Sequence, residues 1–537
     1  MAHLKLFIHC VLIFFVHEGL TSPVAESTDD DLIVTLSTGS KVRGHVLQSF
    51  EGNDFQAFEN IPYAEPPTGK NRFQPAIPKT PWEGVFNATF AYKFCPQFGV
   101  VAAVEDCLVL NVYKPVNAND QQLLPVFFWI HGGSFINGAG SLYDPKLLID
   151  YDIVIVTINY RLGALGFLTT LDDNIPGNLG LKDQLLALQW VHDNINAFGG
   201  DPKQVTVGGE SAGSMSAGFH LLSRLAHGLY SGIIQQSGSP LSSAFYPNKN
   251  REQAFEFGRK LNSSFASSKS SDLLKLLQEA PLSDIVTQQA LSPTACIPTM
   301  EEEFNDKAFV SGPMHRAILN GEFNFVPVLI GINSEEFLLF VDADSDDFKE
   351  KCKYFDDNPE QMVSASFNVA EEIREYVGKA LKTLYTNSSF VEDPLGYIKY
   401  NSDEVFGRST ARQAEAASRF VPVYMYQFSW YDKSSPLPGV KHAADLYYMW
   451  NVSFGTTTHN DALRKPILKW WTNFIKYQNP TPVKDEDLQN VIWPEVKPGS
   501  VKYLDIDSTF EVKENPRQYY QIESILDPVI NEPLITY

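Results

Sequence analysis

The stretch from Phe198 to Gly213, Phe-Gly-Gly-Asp-Pro-Lys-Gln-Val-Thr-Val-Gly-Gly-Glu-Ser-Ala-Gly, constrains the fold of this chain more than any other. It reads as a loop, a short β-rich run, and then Gly209-x-Ser211-x-Gly213 opening a helix. A serine at that junction sits on a sharp strand-to-helix turn, and Gly209 and Gly213 remove the side chains that would otherwise collide across it. Such a turn presents the Ser211 hydroxyl at the carboxyl end of a sheet. It also aims the N–H of Ala212 and the positive end of the helix at the same point.

The surrounding pattern agrees with an α/β protein. Short, nearly continuous apolar runs occur at 126–130, 153–156, 205–207, 326–330 and 423–426, as expected of strands covered on both faces. Between the second and third, Leu181, Leu185, Leu188, Val191 and Ile195 recur at helical spacing, so the order β, α, β predicts a largely parallel sheet with crossover helices. From about Ser242 to Pro293 the chain is rich in polar helix formers, with Leu273, Leu274, Leu276 and Leu277 as an inward stripe. That segment reads equally as a lid or gorge wall and as a plain helical insertion. A further amphipathic helix is marked by Leu463, Ile467, Leu468, Trp471, Phe474 and Ile475. With no repeats, low-complexity tracts or clear linker, a single domain over 23–537 is the simpler reading.

Charge and cysteine usage bear on compartment and partners. With 42 basic and 64 acidic residues the formal net charge is −22, which argues against nucleic acid or an anionic membrane as a partner. His3 and Lys5 precede an apolar run, Leu6 to Val16, followed by small and polar residues. This is too short to span a bilayer and reads as a signal peptide over about residues 1–22. No later stretch is an apolar span, and the C-terminal residues carry neither a retention tetrapeptide nor an anchor tail, so secretion is expected. Cys10 falls in the leader, leaving Cys95, Cys107, Cys296 and Cys352. In an oxidising compartment a bridge between Cys95 and Cys107 would contribute roughly 2–3 kcal/mol; whether Cys296 and Cys352 pair is open. Acceptor sequons at Asn87, Asn262, Asn387 and Asn451 fit a secreted glycoprotein.

A serine hydroxyl is a weak nucleophile. It needs a base held by an acid, and donors for the tetrahedral oxyanion. The segment Trp129-Ile130-His131-Gly132-Gly133-Ser134-Phe135 follows a strand-like run, and its glycines can turn backbone amides toward Ser211. At this point the chain resembles the type-B carboxylesterases, the α/β-hydrolases that include insect esterases and the cholinesterases. Further matching pieces are Asn60-Ile61-Pro62-Tyr63-Ala64-Glu65-Pro66-Pro67, Glu105-Asp106-Cys107-Leu108-Val109-Leu110-Asn111, Asn159-Tyr160-Arg161-Leu162-Gly163 and Gln236-Ser237-Gly238-Ser239. The resemblance implies an α/β-hydrolase fold with helical insertions, a serine esterase needing neither metal nor organic cofactor, and a small-molecule ester as its partner. It leaves monomer and homodimer both open.

The family's acid lies in a phrase Gly-x-Asn-x-x-Glu-Gly. Here Gly331-Ile332-Asn333-Ser334-Glu335-Glu336-Phe337 puts Glu336 in that place, with Phe337 for the usual glycine and Glu335 as the neighbour one residue away. The family's histidine corresponds to His442 in Gly439-Val440-Lys441-His442-Ala443-Ala444-Asp445-Leu446. By resemblance the oxyanion donors are the N–H groups of Gly133, Ser134 and Ala212, and His442, in its neutral form, serves as base. An ordinary histidine would place the fall in activity at about pH 6–7.

The loop between Cys95 and Cys107 holds no tryptophan, so the cation-binding platform of the cholinesterases is missing and choline esters are not expected. The reading is a secreted carboxylesterase for small to medium uncharged esters. Juvenile hormone esterases are the runner-up, although they usually carry Gln where Glu210 stands. Catalytically inactive adhesion relatives are a third reading, against which Ser211, Glu336 and His442 all speak.

Overall fold

A computed structural model describes residues 32–531 apart from 91, 117–121, 243–248, 293–295, 302–306, 436 and 453–458; the expected leader and Cys10 lie outside the described residues. Eleven strands form the main sheet: His45–Gln48 (β1), Asp54–Pro62 (β2), Val109–Pro115 (β3), Leu124–Ile130 (β4), Val154–Ile158 (β5), Gly200–Glu210 (β6), Gly232–Gln236 (β7), Val328–Asn333 (β8), Val423–Phe428 (β9), Lys502–Ile506 (β10) and Phe510–Glu514 (β11). Their spatial order is β11-β10-β9-β8-β7-β6-β4-β5-β3-β2-β1. Every pairing from β5 through β4, β6, β7, β8 and β9 to β10 is parallel, and the pairings beyond either end are antiparallel. A separate three-stranded sheet joins Ile33–Thr35, Lys41–Arg43 and Val85–Asn87.

The apolar runs alternate faces as a pleated strand requires. Val126, Phe128, Ile130, Val154, Val156 and Ile158 pack with Leu181, Leu185, Leu188 and Val191 of the helix Leu179–Asn194 (α1). Phe127, Trp129, Ile153 and Ile155 point the other way, into a cluster with Ile467, Leu468, Trp471 and Phe474. Both faces are therefore dry, and full burial of a ring such as Phe128 stabilises by about 2–3 kcal/mol.

Winding reverses at β4. The chain steps from β4 to β5 on one side and then returns to lay β6 on the other, which opens a crevice at the carboxyl ends of β4 and β6. The helix Ala212–Leu222 (α2) starts there. The polar segment folds into Asn250–Leu261 (α3), Ser270–Glu279 (α4) and Leu282–Leu291 (α5). Of its leucine stripe Leu273 and Leu277 are buried, Leu274 and Leu276 only partly, against Phe73, Ala164, Leu165 and Leu168. Gln289 of α5 accepts a hydrogen bond from the Ala164 N–H at 3.1 Å, and the Gly163 N–H donates to the Phe135 carbonyl at 2.7 Å. The insertion thus buttresses the loop after β4. The last amphipathic helix is Arg464–Tyr477 (α6), with its indole and phenyl rings turned to the sheet.

Cys95 and Cys107 are joined. Cys296 and Cys352 are separate buried thiols in different apolar clusters, which closes the question of their pairing. Asn87, Asn262, Asn387 and Asn451 are all exposed. Among the described residues no helix is long and apolar enough to cross a membrane.

Candidate active site

Ser211 has φ 56° and ψ −121°, a conformation costly for a residue with a side chain and held here by its surroundings. Its N–H donates to the Gln236 carbonyl at 2.9 Å, and its carbonyl accepts from Met215 in the first turn of α2 at 2.9 Å. The flanking glycines are obligatory by contact. A Cβ on Gly213 would lie 2.0 Å from the Ile130 carbonyl oxygen, and one on Gly209 would lie 2.4 Å from the Gly213 backbone. Because Ile130 of β4 pairs with Gly209 of β6, the loop after β4 is brought directly beside the serine turn.

That loop coils tightly, with φ 104° at Gly133, 55° at Ser134 and 62° at Phe135. The Gly133 carbonyl turns into the loop and accepts from the Ile136 and Asn137 N–H groups at 3.0 Å each. His131 anchors the base of the loop, stacking on Tyr160 at 4.5 Å while the Tyr160 hydroxyl donates to the His131 carbonyl at 3.0 Å. Burial pushes the His131 imidazole down to about 4, so it is neutral. No described residue accepts a hydrogen bond from the N–H of Gly133, Ser134 or Ala212. Three unengaged backbone donors are thus left on the two segments that meet at the crevice, and such donors can stabilise a developing anion.

Glu336 follows β8, and His442 lies in the loop ahead of the turn Ala444–Tyr448. The His442 Nδ1 is 2.7 Å from Glu336 Oε2, and the His442 N–H donates to the Glu336 carbonyl at 3.1 Å. Glu336 Oε1 accepts from the Asn333 N–H at 2.7 Å, so both carboxylate oxygens are engaged. The adjacent Glu335 turns away to Arg517 at 3.2 Å. Phe337, in the place where the family usually has glycine, is buried against Phe340 and Tyr397.

The other imidazole edge differs from the expected arrangement. His442 Nε2 is 3.1 Å from Glu210 Oε1, without the alignment of a hydrogen bond, and no described residue hydrogen-bonds the Ser211 hydroxyl. Burial raises the Glu210 carboxyl to about 8, against the attraction of His442 and with the repulsion of Asp445 and Glu336. Burial also opposes an imidazolium at His442, but the Glu210 and Glu336 carboxylates outweigh it and push His442 up to about 9. Below the crevice, Asp445 accepts from Gln236 at 2.8 Å, Tyr426 at 3.0 Å and Asn333 at 3.3 Å, and burial raises its carboxyl.

The chain matches the model of the carboxylesterase family over residues 30–522. It belongs to the carboxylesterase family. This carboxylesterase is 31% identical to a juvenile hormone esterase of Tribolium castaneum over 92% of each chain, and 30% identical to venom carboxylesterase-6 of Apis mellifera over 89% of this chain and 91% of that one. A para-nitrobenzyl esterase of Bacillus subtilis (strain 168) is 32% identical over 90% of this chain and 96% of its own. Among solved structures, juvenile hormone esterase of Manduca sexta with OTFP covalently attached superposes with a TM-score of 0.80 at 26% identity, covering 93% of this chain and 99% of that one. The fold is therefore that of the α/β-hydrolases, and the enzyme is a carboxylic ester hydrolase.

Glu210, Asp445 and Arg517 were not singled out as site residues from the chain alone. Glu210 had a local signal, being adjacent to Ser211 inside the pentapeptide. Asp445 sits three residues after His442, but nothing in that spacing announces burial, and Arg517 has no sequence signal.

Proposed function

We propose that Ser211 is the nucleophile, His442 the general base and acid, and Glu336 the carboxylate that orients it, with the N–H groups of Gly133, Ser134 and Ala212 as the oxyanion hole. The observation that carries the reading is the strained Ser211 turn beside those three unengaged donors, with a buried histidine and glutamate 2.7 Å apart at the same crevice. Attack needs His442 Nε2 to exchange its contact with Glu210 for the Ser211 hydroxyl. The serine oxygen then adds to the ester carbonyl as its proton passes to Nε2, and the developing oxyanion takes the free amides. Collapse returns that proton to the departing alkoxide and leaves an acyl-serine. Water repeats the sequence and releases the carboxylic acid.

Glu210, Glu336 and Asp445 crowd the site with carboxyl groups, which favours uncharged esters over anionic ones. The chain is read as one domain over 23–537 behind a cleaved leader of about 22 residues; its bridged Cys95–Cys107 and exposed sequons support a secreted glycoprotein. Likeness to two juvenile hormone esterases favours a second reading, turnover of that hormone, against which Glu210 stands.

The test is turnover of a 4-nitrophenyl ester series, a volatile acetate and a juvenile hormone by the wild type and Ser211→Ala. The variant should lose roughly three to six orders of magnitude in turnover with the fold intact. Diethyl phosphorylation should label a peptide containing Ser211. Retention of a tenth of the activity, or labelling at another serine, refutes the assignment.

A further inference from the structure

His442 is held on two sides. Glu336, in the loop after β8, takes its edge, and the rings of Phe406 at 4.6 Å and Phe340 at 5.4 Å pack against the imidazole. Phe406 belongs to the π-helical turn Asp403–Gly407, between the helices Pro394–Ser402 and Arg408–Ala417 and distant in sequence from the acid loop. One side chain spans both segments. Arg517 donates through Nε to Asp403 Oδ1 and through Nη1 to the Ser334 carbonyl, while its Nη2 donates to Glu335 Oε2 and the Lys399 carbonyl at 3.2 Å each. Gly407 leaves the room for this: a Cβ there would lie 2.7 Å from Asp403 Oδ1 and 3.2 Å from Arg517 Cδ.

Glu335 continues the link to the histidine loop. Its N–H donates to the Val440 carbonyl at 2.9 Å. Its stem packs so closely on Gly439 that a Cβ there would lie 2.2 Å from Glu335 Cγ. We propose that Arg517 is a positioning residue for the general base, clamping from a distant corner of the chain the acid loop and the aromatic turn that together hold His442; this rests on the triad assigned above. A buried ion pair is a poor source of stability compared with an apolar contact of equal volume. What a planar guanidinium does provide is several acceptors held in one fixed geometry, which a lysine cannot match. Catalysis is sensitive to that geometry, since a misplacement of about 1 Å can cost about a hundredfold in rate.

The test uses two variants of the full-length enzyme that conserve charge, Arg517→Lys and Glu335→Asp. Neither alters the groups that face His442, namely Glu336 from the acid loop, Glu210 from the end of β6 and Asp445 from its own turn. Rates on 4-nitrophenyl acetate are divided by the sites titrated with an organophosphate. For Arg517→Lys, kcat per titrated site should fall about tenfold or more with KM within about twofold. The acid limb of its pH profile should move down by about half a pH unit, because a loosened Glu336 supports the imidazolium less. Glu335→Asp should move the limb the same way by less.

A merely structural residue would lower the number of titratable sites and leave the limb in place, and that result overturns the clamp. If Arg517→Lys does not fold, Glu335→Asp decides: a displaced limb supports the proposal and an unmoved one overturns it. Ser211→Ala is measured alongside. Activity in that variant defeats the triad itself, whereas an inactive Ser211→Ala with an unmoved limb in the other variants defeats only the clamp.

Discussion

Replacing Glu210 by glutamine removes a carboxyl whose Oε1 is 3.1 Å from the nitrogen that has to receive the serine proton. With Glu210 raised to about 8 and His442 to about 9, both groups hold their protons at neutral pH, and between those two values a Glu210 carboxylate faces a His442 imidazolium. Nε2 is not free to act as base until His442 gives its proton up. The attraction between the unit charges at this distance is about 1.3 kcal/mol at the dielectric constant of water and about 5 kcal/mol at an effective value of about 20. Even the lower figure is about one pH unit. The sign follows directly. The imidazole pKa is raised, the active form is the neutral one, and so activity is present above that pKa and lost as pH falls through it. The acid limb of kcat/KM should therefore lie above 6.5 in the wild type, against the ordinary histidine range expected from sequence. In Glu210→Gln it should move down by at least about one unit. The measurement is a pH series with an uncharged ester, corrected for enzyme stability at each pH. A limb that stays within about 0.3 units of wild type, or moves up, refutes the argument.

Three further outcomes are expected. Glu336→Gln should lower kcat by several orders of magnitude, as loss of an orienting carboxylate does in such triads, whereas Glu335→Gln should cost far less; equal losses in steady-state rates would contradict the contact between Glu336 and His442. Gly213→Ala places a methyl 2.0 Å from the Ile130 carbonyl oxygen and should destabilise by about 3 kcal/mol or more, so a denaturant midpoint like the wild type's would show that the serine turn tolerates a side chain. Peptide mapping without reductant should find Cys95 joined to Cys107 and should alkylate Cys296 and Cys352 only after unfolding; free thiols at Cys95 and Cys107 would contradict the bridge.

What could be read from the chain was what local rules dictate. The apolar runs at 126–130 and 205–207 fall inside β4 and β6, because a strand dry on both faces has no alternative to continuous apolar residues. Gly209 and Gly213 were legible for the same reason, since only a missing Cβ admits the backbone of Ile130. Glu210 shows where this stops. Its place next to Ser211 was plain, but its approach to His442 depends on residues 232 positions further along the chain. The pKa of His442 is a property of three buried carboxyls that converge only in the folded protein. From sequence the polar stretch reads equally as a wall and as an insertion, because leucine spacing reveals an inward face and not what it faces; Gln289 on Ala164 is a tertiary contact. Arg517 was invisible because its residue before is proline and its neighbours are polar, the ordinary composition of a surface turn.

The strands at the far edge of the sheet, β10 and β11, come from residues 502–514, and the corner that carries Arg517 follows them directly. Ser211, Glu336 and His442 are all synthesised before them. A ribosome adding about 5–20 residues per second completes the three side chains of the proposed triad seconds before it supplies the strand that β9 pairs with and the guanidinium that ties Ser334 to Asp403. A chain interrupted before residue 502 would carry every reacting group of that triad and lack the strand and the guanidinium that close the fold around it, and is expected to cleave esters more slowly than the whole enzyme.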